Sequence, residues 1–448
     1  MALSGIQIFK MMPKKNCAEC GVPTCLAFAM NLAAGKAELS QCPYVSEEAK
    51  EKLASAAAPP IRTVQIGVGE SMVKTGGETV LYRHEKTFNN PTALGCLVSV
   101  SEDDAAVDSK LKAFNTLKYE RVGLTLKPDL IAVKDGGDPG RFAKIAKKAS
   151  DAGAALVLMS DSVDSFKAAL AEVGKTKPLI YAATQSNADA VSALAKEFDC
   201  PIAVKADKVG DVAKLSHSLI EKGFKDIVLD SGARTLSQLF RDNILIRRLA
   251  LETLYRPLGF PTIVFPCEMA DNPIDEVLVA GTFISKYGGI AILSDLRGET
   301  LFPLLLQRLN IFTDPQRPMT TEQGIYPINN PDENSPVLIT SNFSLTYFIV
   351  SGEVENSRVP SWLLVLNTDG LSVLTGWAAG KFVADNIGPF VKKSGIDDKS
   401  KLKKLIIPGA VAMISGDLEE EMPKGWKILV GPREGAHIPA FLRQNFGG

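Results

Sequence analysis

Histidine is almost missing from this chain: there are three in 448 residues, and the first is His84. A metal held near the start must therefore use other ligands. Excess charge is missing as well. Lysine and arginine number 50 against 51 aspartates and glutamates, and a net charge of −1 makes no electrostatic case for nucleic acid or an anionic membrane. No stretch carries roughly 18 uninterrupted apolar residues, so no membrane span is expected. Residues 1–15 hold lysines but no continuous apolar core of signal-peptide length, and a cytoplasmic protein is expected. Paired carboxylates, a P-loop and a nucleophile elbow are all wanting, so no catalytic residue is expected. Without G-x-G-x-x-G, neither a nicotinamide nor a flavin dinucleotide is supported.

Cysteine is scarce too, seven in all, yet four of the seven crowd into residues 17–42. They lie in Lys15-Asn-Cys-Ala-Glu-Cys-Gly-Val-Pro-Thr-Cys25 and in Cys42-Pro43, so the order is Cys17, Cys20, Cys25, Cys42. A tight loop offering three thiolates, with a fourth from further on, suits an iron–sulfur cluster or a zinc ion. Gly21 and Pro23 let the backbone turn around such a site. Zinc sites more often pair two C-x₂-C knuckles or add histidine, whereas a last cysteine followed by proline recurs in cluster motifs. The spacing therefore favours [4Fe–4S]. Zinc, and a disulfide or buried thiols, remain the alternatives. Cys96, Cys200 and Cys267 are scattered beside expected strands and read as buried free thiols.

The chain is too long for one ordinary core, so two or three domains are expected. An alanine- and leucine-rich helix over 26–39 backs the cysteine loop, and a second over 46–58, capped by Ser46, stops at Pro59-Pro60. Residues 1–58 thus form a small module whose core is too slight to be secure without a metal. A hairpin is expected over 63–82, turning at its glycines. Apolar strands then alternate with amphipathic helices: 94–100, 130–134, 154–160, 178–184, 201–206, 226–231, 261–266 and 288–294. Strands apolar on both faces belong to a parallel sheet under helices. Eight such units suit a TIM barrel over 59–312, with a doubly wound open sheet as the rival. Charged residues after these strands, Lys134 to Asp138, Asp161, Lys205, Asp207 and Asp230, read as solvated or capping, and His217 as a partly buried packing residue.

Prolines crowd 313–335, which reads as a linker or extended arm. Residues 336–448 alternate again as a small α/β domain of Rossmann or flavodoxin type, with strands that include 371–374 and a helix over 378–394. The ends of its strands are glycine- and hydroxyl-rich. They are Thr340-Ser341-Asn342, Asp369 to Gly376, Pro408-Gly-Ala, Ser415-Gly-Asp417 and Gly431 to Ala436. Small residues let backbone amides approach a large flat or phosphate-bearing ligand.

Pro-Lys-Lys-Asn-Cys-Ala-Glu-Cys-Gly-Val-Pro-Thr-Cys, continued by Leu-Ala-Phe-Ala-Met and closed by Cys42-Pro43, resembles the large (gamma) subunit of the corrinoid iron–sulfur protein of the reductive acetyl-CoA pathway. The resemblance extends over the whole chain. It implies that Cys17, Cys20, Cys25 and Cys42 ligate a [4Fe–4S] cluster, and that residues 336–448 hold a cobalamin. The implied contacts are Thr340, Ser341, Thr346, Gly370, Leu371, Ser372, Val373, Leu374, Thr375, Gly409, Ala410, Gly416, Arg433, Glu434, Gly435 and Ala436. It implies a methyl carrier that works in methyltransferase reactions. Cobalt takes methyl from methyltetrahydrofolate through a separate methyltransferase and gives it to acetyl-CoA synthase/CO dehydrogenase. The implied partner is a small barrel subunit, in a heterodimer. Cobalt(I) prefers no axial ligand, and many corrinoid proteins supply a histidine from D-x-H-x-x-G; here His437, in Gly-Ala-His-Ile-Pro, does not fit. The cluster is then expected to return cobalt(II) to cobalt(I). Two other classes stay open: an iron–sulfur electron-transfer or activator protein without corrinoid, and a zinc-binding scaffold subunit.

Overall fold

The chain divides according to which residues can bury one another. The computed structural model describes residues 5–33, 37, 39–46, 49, 59–121, 123–314 and 318–447. It separates into two units, residues 1–119 with 126–312, and residues 120–125 with 313–448.

In the first unit, α1 (Gly5–Met11) packs on α2 (Cys25–Ala33). Ser46 Oγ accepts from the Ala49 amide at 3.2 Å, in keeping with a cap, but most of the helix expected over 46–58 lies outside the described residues. A hairpin of β1 (Val64–Ile66) and β2 (Val73–Thr75) follows. Next comes β3 (Ala93–Ser99), then a two-stranded pair of β4 (Tyr119–Arg121) and β5 (Leu124–Leu126), of which residues 120–125 group with the second unit. The series continues with β6 (Leu130–Lys134), β7 (Ala155–Met159), β8 (Leu179–Ala183) and β9 (Ile202–Lys205). It ends with β10 (Ile227–Asp230), β11 (Thr262–Val264) and β12 (Gly288–Leu293).

Strand β3 and strands β6 to β12 form one closed barrel, all parallel, with β12 returning to β3 through Ile290 opposite Ala93. The open-sheet rival is thereby excluded. Side chains alternate across the barrel wall. Ala132, Val157, Tyr181, Ala203 and Ile292 fill the interior, while Ile131, Leu156, Ile180, Ile202 and Leu293 face the helices. Alanines between bulky residues let the inner layers interdigitate. Val64 and Ile66 of the hairpin join the interior cluster, and Thr75 Oγ1 donates to Gly289 O at 3.0 Å, so β1 and β2 sit on the end where the strands begin. Gly76 has φ +81°, and a Cβ there would stand 2.2 Å from Arg62 O, so the turn requires glycine.

Beside this plug, Arg247 of α3 (Leu236–Glu252) reaches Glu78 at 3.3 Å and Val80 O at 2.7 Å. Its guanidinium lies between the rings of Phe88 and Tyr287, at 5.1 and 4.7 Å. Burial pushes the Glu78 carboxyl up, against the pull of Arg247.

The second unit begins earlier than the sequence suggests. The stretch expected as a linker carries β13 (Gly324–Ile328), which pairs antiparallel with β15 (Ser361–Leu366) as an edge strand, and an edge tolerates Pro327. The other strands are β14 (Val337–Ser341), β16 (Lys404–Ile407) and β17 (Lys427–Val430), in the order β13-β15-β14-β16-β17. Further pairing ties Thr320 to Phe343, and Thr321 N to Asn342 O at 2.9 Å.

Helices cover both faces of this sheet. On one side α4 (Ser344–Ser357) and α8 (Ile438–Phe446) bury Leu338, Leu363 and Ile406. On the other, α6 (Ala384–Ser394) and α7 (Ser415–Glu421) bury Val337, Leu364 and Leu405. The strand expected over 371–374 is instead a turn leading into a short helix, α5 (Val373–Ala378). Gly376 N–H donates to Ser372 O at 2.6 Å, which closes the first turn of that helix.

Candidate functional site

The cysteine loop is shaped by residues that can turn. Lys14, Asn16, Ala18 and Gly21 all have left-handed φ. Thr24 Oγ1 accepts from Ala27 N at 3.1 Å and starts α2. Cys25 and Cys42 lie in the module core with Ile8, Met12, Phe28 and Val45, Cys20 packs against it, and Cys17 is exposed. All four are free thiols. Asn16 accepts from Cys25 N on its Oδ1 at 2.8 Å and donates its own amide to Cys25 Sγ at 3.4 Å. Tyr44, just after Cys42-Pro43, lies under Lys15 Nζ at 3.8 Å and donates to Glu19 Oε1 at 2.7 Å. That hydrogen bond, with the charge of Glu19, raises the phenol pKa.

Among the described residues, no three His, Cys, Asp or Glu side chains already stand in a metal-holding group. The donor chemistry nevertheless fits an iron–sulfur cluster. Four unpaired thiols share one small module, and a backbone amide already points at one sulfur, as cluster thiolates take such donors.

The second candidate is a slot of ≈ 280 Å³ at the carboxyl ends of the C-terminal strands. Eight of the expected contacts line it: Thr340, Thr346, Ser372, Val373, Leu374, Ala410, Arg433 and Gly435. Its walls also include Ile349, Val350, Ile406, Ile407, Pro408 and Ile438, which sequence reasoning missed because strand and helix apolar residues look like ordinary core. Ile349 is 49% exposed and Leu374 52%, an apolar surface that the described residues leave half open. Deep in the slot the Thr340 hydroxyl is fully buried and has no hydrogen-bond partner. A buried hydroxyl without a partner is costly, and a bound polar group would relieve it. The slot therefore fits a large ligand with an apolar body and some polar edges.

The other expected residues stand outside the lining, with physical reasons for several. Gly409 and Gly370 serve packing: a Cβ would lie 2.4 Å from Gly431 O at the first, and 2.9 Å from Pro318 and Thr320 at the second. Ser341 is buried without a partner for its Oγ. Leu371 O accepts from Thr368 Oγ1, Thr375 Oγ1 faces Ser372 Oγ at 3.0 Å, and Gly416 lies in the first turn of α7. Glu434 and Ala436 are exposed. The residue sequence reasoning undervalued is Asn342. Its Oδ1 accepts from Thr368 N, Thr368 Oγ1 and Gly370 N at 2.9, 3.0 and 3.1 Å, locking the end of β14 to the loop before α5. No histidine lines the slot, and His437 is exposed in a turn.

At the carboxyl end of the barrel, Asp230 is neither solvated nor a cap. It is buried, accepts from Tyr181 OH at 2.5 Å, and takes both arms of Arg234 at 3.0 and 3.2 Å. Arg234 also donates to Glu268 at 2.6 Å and lies 4.8 Å over the Phe265 ring. Burial, then the charge of Asp230, holds the Tyr181 phenol far up. Asp138 does cap a helix, through Arg141 N at 3.0 Å. His217 is largely solvent-exposed, since its helix turns that face outward toward Glu221. Cys96 and Cys200 are buried, and burial pushes the Cys200 and Cys267 thiols up to about 12.

Comparisons with known proteins cover nearly the whole chain. The model of the CO dehydrogenase/acetyl-CoA synthase delta subunit family matches residues 63–442, and an Fe-S cluster model matches residues 12–44. The chain is 47% identical to the corrinoid/iron-sulfur protein large subunit of Moorella thermoacetica over 99% of both chains. It is 34% identical to the acetyl-CoA decarbonylase/synthase complex subunit gamma of Methanothermobacter thermautotrophicus, again over 99% of both. Subunit gamma 2 of that complex from Methanosarcina thermophila is 36% identical over 99% of this chain and 98% of its own.

Proposed function

Because this chain belongs to the CO dehydrogenase/acetyl-CoA synthase delta subunit family, with corrinoid/iron-sulfur protein large subunits among its relatives, we propose that it is a methyl-group carrier of anaerobic acetyl-CoA synthesis. In this reading the C-terminal slot holds a corrinoid and the cysteine module a [4Fe–4S] cluster. When bound there, the corrinoid would supply methyl-transfer chemistry between methyltetrahydrofolate, through a methyltransferase, and acetyl-CoA synthase, and the cluster would supply reducing electrons to the cobalt. Partners would be a small subunit in a heterodimer, the methyltransferase and acetyl-CoA synthase/CO dehydrogenase. Among the described residues no helix is long and apolar enough to cross a membrane, and we place the protein in the cytoplasm.

This chain's own residues bind and orient. Thr340 would donate to a polar edge of the ligand, while Ile349, Val350 and Val373 exclude water from its apolar body. Asn342 keeps the loop before α5 in register with β14 and so holds Ser372 and Leu374 at the slot. Among the described residues no histidine lines the slot, so no imidazole would be offered to a bound cobalt. Cys17, Cys20, Cys25 and Cys42 would ligate iron as thiolates.

The observation that carries this reading is the buried, unpartnered Thr340 hydroxyl inside an apolar slot, in a chain that also gathers four free thiols. Anaerobic purification followed by metal analysis and an absorption spectrum tests it. Cobalt with about four irons and a corrin band is expected. Iron without cobalt would leave an electron-transfer protein, and zinc alone a scaffold; either result rejects the proposal.

A further inference from the structure

The residue before the first cysteine of the loop does more than lead into it. Asn16 has φ +49°, a left-handed backbone that asparagine tolerates better than most residues. In that conformation its amide stands 3.4 Å from Cys25 Sγ, while its side-chain oxygen accepts the Cys25 amide at 2.8 Å. The two contacts run in opposite directions between the same pair of residues. They close the loop that contains Cys17 and Cys20, and they satisfy the Cys25 amide, which opens α2 and has no partner earlier in that helix. Thr24 caps a different amide, that of Ala27. Asn16 therefore fixes the sulfur of Cys25 relative to the other loop cysteines, and it places one hydrogen-bond donor on that sulfur.

We propose that Asn16 is a positioning residue for the iron–sulfur centre: its side chain holds Cys25 in place and its main-chain amide sets the reduction potential. This rests on the reading that the four cysteines hold a cluster. A donor on a ligand sulfur draws charge from it and favours the reduced, more negative cluster, so its loss shifts the potential downward. Loss of an outer partner of a metal ligand also loosens the metal.

The two contacts can be separated by substitution. Asn16→Gly permits the left-handed backbone and the amide contact but removes the side-chain oxygen. Asn16→Val removes the oxygen and also opposes the left-handed backbone, because it is β-branched. In the full chain with its native metal content, Asn16→Gly is expected to keep the wild-type potential in a redox titration followed by electron paramagnetic resonance. It is expected to release iron to a chelator roughly tenfold faster. Asn16→Val is expected to release iron at least as fast and to titrate at a more negative potential. A variant that folds, as judged by far-ultraviolet circular dichroism, yet takes up no iron also supports the positioning role. Wild-type release rates and potential in both variants overturn the proposal. Faster release with the wild-type potential in Asn16→Val overturns the tuning role. Zinc in place of iron in the wild-type protein would instead reject the cluster reading itself.

Discussion

The strand ends of the barrel and those of the C-terminal sheet both gather polar and small residues, but they dispose of them differently. At the barrel end, Asp230, Tyr181, Arg234 and Glu268 pair with one another, and Arg234 covers the Phe265 ring. At the C-terminal end, Thr340 and Ser341 keep buried hydroxyls without partners, and Ile349 and Leu374 stay half exposed. A polar network that satisfies itself contributes to the fold, whereas one left incomplete beside apolar walls is suited to a ligand. The barrel rule that function lies on the loops after the strands is thus a statement of opportunity, and in this chain the smaller sheet is the one left open.

The comparison breaks most visibly at Asp230. Asp230→Ala leaves the buried Tyr181 and the half-buried Arg234 without their shared partner, and is expected to cost about 3 kcal/mol of stability by chemical denaturation. The folded fraction should keep its wild-type cobalt content. A smaller loss than about 1 kcal/mol would show that the barrel end is no more committed than the slot.

The reverse is expected of Ala410→Trp, which fills the slot. Corrinoid retention should fall by well over tenfold, a change above about 1.4 kcal/mol, with little shift in the denaturation midpoint. Wild-type cobalt in the purified variant would place the ligand elsewhere.

Thr340→Val sharpens the contrast in a smaller way, because it keeps the shape and removes the hydroxyl. Without ligand the variant should be as stable as the wild type or slightly more so, since a buried unpartnered polar group is removed. Corrinoid affinity should drop by about tenfold. A destabilised ligand-free variant would mean that the hydroxyl already has a partner.

The smallest effect concerns pH at the closed end of the barrel. Burial raises the folded pKa of Glu78, so the folded state binds this proton more tightly than the unfolded chain. The resulting contribution is fully present below the ordinary glutamate pKa and is lost as pH rises through the raised value. Glu78→Gln should flatten that segment of the stability–pH curve, measured by denaturation across the acidic range. An unchanged curve would show that Arg247 offsets the burial completely.

Much of the fold was legible because burial leaves periodic traces. Each of the eight barrel strands falls where an apolar run was read, since strands buried on both faces need such runs. The front module was legible for a similar reason: cluster chemistry restricts residue type and spacing together, and an Fe-S cluster model matches residues 12–44. The errors came where a local pattern competes with tertiary contact. Prolines in 313–335 suggest a linker, yet an edge strand accepts them and β13 pairs with β15. Leu371 to Leu374 suggests a strand, but Ser372 starts α5. Glycines 370 and 409 read as ligand contacts, whereas each admits another loop. Residues 120–125 carry no sign of their grouping with 313–448.

By itself, then, the order of residues determined the four-cysteine module at the front, the parallel sheet and the presence of a small-residue edge at the back, because each depends on composition within a short stretch. Only the tertiary structure decided that Asp230 finds its partners in place while Thr340 is left wanting, and that Asn16 reaches Cys25. Those outcomes depend on how the backbone turns particular side chains toward one another, four residues apart for Arg234 and 49 for Tyr181, and pairing of that kind leaves no period along the chain.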